Sequence, residues 1–244
     1  MKILILAAVM GLISVAQGAD DRHYQIKKVY IRQVKDSQKD LVTRQAIDNF
    51  TQGCEAAQPV DPNVGPVIPN IPGAQNPIDI IDVIVDKIIN IGKKIWAIVD
   101  AGRPVVNIKV DTANALPAGV RCWDELEGWK APQSHLYQVD YENGFGSIVV
   151  SYGFRVSFIS GGSYKGKGQY ITLASVTPAN VDVSWGFKLD AVATVPMVFN
   201  QGSKQDPLAG MQLVMDWKVE SPLTQIRRAE NFFVNGQGQF QKLK

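Results

Sequence analysis

Residues 77–102 constrain this chain more than any other stretch. The run Pro77-Ile-Asp-Ile-Ile-Asp-Val-Ile-Val-Asp-Lys-Ile-Ile-Asn-Ile-Gly-Lys-Lys-Ile-Trp-Ala-Ile-Val-Asp-Ala-Gly102 spaces Asp79, Asp82, Asp86, Asn90, Lys93 and Asp100 mainly at three- and four-residue steps. At roughly 100° per residue these polar side chains fill one arc, and Ile and Val fill the other. The spacing predicts a long amphipathic helix. Asn76 suits its N-cap and Pro77 its first position, while Gly102 suits the left-handed residue just past its end. Asp79 and Asp82 lie toward the positive end of the dipole, and Lys93 and Lys94 toward the negative end. The many β-branched residues also fit a strand, but the polar steps never settle into a two-residue period.

Such a helix must cover something, and Ile84, Ile88, Ile95, Trp96 and Val99 are its candidate lipid or partner contacts. Seven charged side chains exclude it as a lone membrane-spanning segment. Packing on the rest of the chain, on a partner protein or along a membrane surface remain as its uses.

Beyond residue 103 the pattern changes to a period of two. Phe154, Val156 and Phe158 alternate with Arg155 and Ser157; Trp185, Phe187, Leu189, Ala191, Ala193 and Val195 alternate with mainly polar residues. Met211, Leu213, Met215, Trp217 and Val219 do the same. This alternation predicts half-buried antiparallel strands. Further strands are expected at 105–112, 119–124, 135–142, 168–176 and 224–235. Turn signals stand at Asn143-Gly144, Gly161-Gly162, Asn200-Gln-Gly202 and Asn235-Gly236. The fold class expected is mainly β: an antiparallel β-sandwich of about seven or eight strands over residues 103–244. It is preceded by a strand–helix segment and the long amphipathic helix at 77–102. A helix ahead of a sandwich is similar, as architecture, to actinoporin-type pore-formers; that resemblance implies a membrane-active alternative.

The N-terminus reads as an export signal over residues 1–18: Lys2, a short apolar run, and small residues Ala16 and Gly18 around a cleavage site. A strand–helix segment follows at 19–56, with a strand over 24–34 and a helix opened by the capping box Ser37-Gln-Lys-Asp40. Residues 57–76, with Pro59, Pro62, Pro66, Pro69 and Pro72, form an extended linker, because each proline removes a backbone donor. Export places the chain in the periplasm or extracellular space, where Cys54 and Cys122 are expected to form a disulfide. Closing that loop stabilises the fold by roughly 4 kcal/mol in the chain-entropy model.

Formal net charge is only +2, which argues against nucleic acid as a partner. The chain has no Gly-x-Ser-x-Gly elbow, phosphate loop, His-Glu-x-x-His helix or Gly-x-Gly-x-x-Gly after a strand, and with two His and two Cys far apart no metal site or cofactor is expected. Asp124, Glu125 and Glu127, between Trp123 and Trp129, have the composition of a glycan contact or a carboxylate glycosidase cleft. Lys165 and Lys167, in the glycine-rich loop 160–169, are candidate anion contacts. The function expected is non-enzymatic binding or interaction, with an unknown protein, a glycan or a membrane surface as partner. A membrane-active protein using the helix, and a carbohydrate-binding or glycosidase activity, are the alternatives.

Overall fold

The computed structural model describes residues 21–35, 83–104, 112–120 and 122–243. The signal segment, the helix expected from Ser37, Cys54, the linker 57–76, residues 77–82 and all but Thr112 of the strand expected at 105–112 lie outside these residues.

The strands are β1 (Ile26–Val34), β2 (Ile84–Ile89), β3 (Ile95–Asp100), β4 (Arg103–Pro104), β5 (Ala113–Ala118) and β6 (Gln133–Asn143). They continue with β7 (Ile148–Tyr164), β8 (Lys167–Val183), β9 (Lys188–Asn200), β10 (Ala209–Glu220), β11 (Gln225–Asn235) and β12 (Phe240–Leu243). They form two six-stranded antiparallel sheets, ordered β1-β6-β7-β8-β5-β2 and β12-β11-β10-β9-β3-β4. From β6 to β12 the chain is an up-and-down meander that changes sheet once, between β8 and β9. Consecutive pairing of this kind needs only short connections, and the sequence places Gly, Asn and Ser at them.

The mainly antiparallel β architecture expected from the alternation is present, and the long amphipathic helix is not. Residues 84–89 and 95–100 are strands, and they belong to different sheets: β2 pairs with β5, and β3 pairs with β9. Three local features imitate a helical period. Register shifts fall within β2 between Ile84 and Ile88, and within β3 between Ala97 and Val99. The chain also turns a corner at 90–94. A bulge inserts unpaired residues and resets the alternation, so inward residues fall at mixed two-, three- and four-residue steps. In β3 the inward set is Trp96, Ile98 and Val99.

Asn90 builds the corner. Its Oδ1 accepts from the amides of Gly92 and Asn114 at 2.9 and 3.1 Å, and its Nδ2 donates to the Lys93 carbonyl at 3.1 Å. The isoleucine run thus crosses from one sheet to the other along the seam between them. Gly102 does take a left-handed conformation, but beside Ala101 in the two-residue hairpin joining β3 to β4. Positive φ at both central residues is what this tight hairpin turn requires.

Three further expectations are corrected. The described residues of 119–124 hold no strand, and Trp123–Glu125 is a single 3-10 turn. Gly161 and Gly162 lie inside β7, so the turn there is only Lys165-Gly166, both at positive φ. Trp185 precedes β9 and sits in a loop.

One core joins the sheets. Tyr141, Tyr152, Phe154, Phe158 and Tyr170 come from the first sheet; Ile98, Leu189, Met211, Leu213 and Phe232 come from the second. Two buried indoles tie them together. Trp96 Nε1 donates to the Val176 carbonyl at 2.9 Å, and Trp217 Nε1 to Tyr141 Oη at 2.7 Å. Buried polar groups normally require such partners, so the two bonds fix how the sheets sit against each other.

Candidate functional site

The outer face of the second sheet carries an open groove of about 730 Å³. Cross-strand pairing assembles it in rows. Asp190, Lys218 and Arg227 stand side by side on β9, β10 and β11. Val192, Asp216 and Ala229 form the next row, and Ile95, Thr194 and Val214 the third. Side chains two apart on a strand share a face, so these rows run without a break from charged to apolar.

The chemistry of the rows is uneven. Lys218 is engaged by Glu220 at 2.9 Å and Asp190 at 3.6 Å, and its ammonium is held above its ordinary range chiefly by the Glu220 hydrogen bond. Asp216 and Arg227 are ion-paired to no described residue, and both line the groove. Ile95 is 64% exposed, unusual for an isoleucine in a strand interior to a sheet. The face therefore offers apolar surface beside one uncommitted carboxylate and one uncommitted guanidinium. At the far end of the same face Phe199 and Phe233 stack at 6.0 Å over Gly210, whose missing side chain leaves them room.

The residues singled out from the sequence are dispersed. Trp96 and Val99 are buried in the core, Ile88 packs against it, and Ile84 and Ile95 are exposed. Trp123 and Trp129 come together, since the Trp129 indole donates to the Trp123 carbonyl at 3.1 Å. The Trp129 ring lies flat against the backbone of Gly162, where a Cβ would sit 2.4 Å from it. Glu125 Oε1 accepts from the Cys122 amide at 3.0 Å and closes the 3-10 turn. Asp124 and Glu127 are exposed, and the Glu127 backbone pairs with Ser163 on β7. Lys165 and Lys167 flank the tip of the β7–β8 hairpin, with Lys165 Nζ 5.3 Å from the Tyr164 ring.

The groove was not legible in advance, because its lining comes from four strands whose order only the pairing reveals. Among the described residues no cluster of His, Cys, Asp or Glu could hold a metal ion, and no helix is long and apolar enough to cross a membrane. The amphipathic helix on which a pore-forming reading rested is replaced by two strands. Comparison of the chain with family models, with curated proteins and with solved structures gave no match.

Proposed function

We propose that this chain is an exported, non-enzymatic binding protein that engages a polypeptide partner through the outer face of its second sheet. The supporting observation is the groove floor at Ile95 and Val192, open beside Asp216 and Arg227. An apolar centre with charged groups at its edge is the anatomy of a protein-contact surface, where the centre carries affinity and the edge sets specificity. Export through residues 1–18, to the periplasm or beyond, and a Cys54–Cys122 disulfide belong to the same reading. Labelling of both thiols only after reduction tests the disulfide.

The test of the function is a panel of purified exported proteins from the same cell, screened against the full chain and against Val192→Glu. A carboxylate placed in the groove centre should weaken the specific partner at least about tenfold. Lys27→Glu, on the exposed edge strand β1, should leave affinity unchanged. Binding that survives Val192→Glu contradicts the proposal.

A further inference from the structure

A second surface lies at the end of the molecule where β9 and β11 begin and β10 ends, beyond the charged row of the groove. The connections β6–β7 (144–147), β8–β9 (184–187) and β10–β11 (221–224) all emerge at this end, as an up-and-down meander requires. Residues 21–25 lace them together. Gly144 N donates to the Arg22 carbonyl at 2.8 Å, and Asn143 Nδ2 to the His23 carbonyl at 3.3 Å. The Tyr24 carbonyl accepts from Ser221 Oγ at 2.8 Å and from Thr224 Oγ1 at 2.9 Å. Gly186 packs so closely on the Tyr24 ring that a Cβ there would stand 2.5 Å from it. The three loops therefore share one ordered base.

Each loop presents a large apolar side chain outward. Trp185 is 83% exposed, Leu223 52% and Phe145 50%. Trp185 differs from the three other indoles whose bonds are defined. Trp96, Trp129 and Trp217 donate within the protein, whereas the Trp185 N–H meets no described acceptor. Its ring leans toward Tyr24 at 6.3 Å, and the Arg22 guanidinium lies 4.6 Å over the Phe145 ring. Apolar tips, an amphipathic indole with an unused donor, and a cation held at their base are what a bilayer interface recognises. The tips enter the acyl boundary, while the indole N–H meets headgroup carbonyls and phosphates.

We propose that this end is a lipid-docking surface, with Trp185, Phe145 and Leu223 entering the headgroup region of a bilayer. The loops are already ordered, so binding carries little ordering cost. With a net charge of only +2, apolar burial leads and the lipid need not be anionic. This inference goes beyond the groove reading and uses none of its residues.

The test is cosedimentation of the full chain with vesicles of phosphatidylcholine, and of equimolar phosphatidylcholine and phosphatidylglycerol, at low and high salt. Binding to both compositions with weak salt dependence is expected. Trp185→Ala, Phe145→Ser and Leu223→Ser should each lower partitioning about tenfold, with unchanged far-ultraviolet circular dichroism. Lipids brominated in their acyl chains should quench the tryptophan fluorescence of the bound protein, and that quenching should vanish in Trp185→Phe. Val192→Glu should leave vesicle binding intact, which separates this surface from the groove. No binding to either vesicle, binding that survives the triple tip variant, or binding only to phosphatidylglycerol that salt abolishes would overturn the proposal. So would tip-dependent binding to a glycan or a soluble protein without vesicle binding.

Discussion

The indole of Trp217 on β10 donates to the hydroxyl of Tyr141 on β6 at 2.7 Å, inside the core and across the two sheets. Burial pushes the Tyr141 phenol above its ordinary range, with the Trp217 bond and the Arg228 charge acting the other way. Tyr141→Phe removes the acceptor and leaves a buried N–H without a partner. It should cost about 1–3 kcal/mol in a denaturant titration.

Tyr152 provides the opposite case. Its hydroxyl is buried in the same core with no hydrogen-bond partner among the described residues, and burial drives its phenol well above the ordinary range. Tyr152→Phe should be neutral or stabilise by up to about 1 kcal/mol, since it deletes a desolvated polar atom and keeps the ring. Parallel melts of the two variants should separate, with only Tyr141→Phe losing stability.

Asp140 makes stability depend on acid. Burial pushes its carboxyl up, but hydrogen bonds from Ser151, Gln138 and Arg32, with the Arg32 charge, outweigh burial and hold it below the ordinary 3.8. Arg32 approaches at 2.6 Å, Ser151 Oγ at 2.7 Å and Gln138 Nε2 at 3.0 Å. A lowered carboxylate stabilises the fold above its unfolded value, and this contribution disappears as pH falls through its folded value. Asp140→Asn should therefore cost about 1–2 kcal/mol at neutral pH. The deficit relative to wild type should shrink as pH drops below about 4, measured as thermal midpoints across that range.

Trp129 and Gly162 form a matched pair. Gly162→Ala drives a methyl group into the indole face and should cost about 1–3 kcal/mol. In Trp129→Ala the same glycine substitution should be nearly silent, so a double-mutant cycle should return a coupling of similar size. Additive costs would show that the ring does not rest on that backbone.

The strands at 188–195 and 211–219 could be read from the chain because each has one face in the core and one outward, which writes the period of two into the residues; Trp185 and Phe187 only extended that pattern into the loop before β9. Strand β7 was legible for a poorer reason. Phe154, Val156 and Phe158 face the core, yet Arg155 and Ser157 are nearly as enclosed, so polarity there does not mark solvent. The isoleucine segment misled because two register shifts and the Asn90 corner scattered its inward residues. Its β-branched composition was the truer signal, since such side chains suit a pleated surface. The groove and the loop-end cluster were hidden for another reason: the groove needs β3 beside β9, about a hundred residues on, and the cluster gathers loops from 21–25 to 221–224.

The account rests on residues 84–100 being two strands that join the sheets along one seam. Nuclear magnetic resonance of the labelled chain tests this most directly. The structure predicts extended-type backbone shifts over Ile84–Ile89 and Ile95–Asp100, and a cross-strand contact between Trp96 and its partner Ala193. Helical shifts with contacts from Ile95 to Ile98, and none between Trp96 and Ala193, would contradict it.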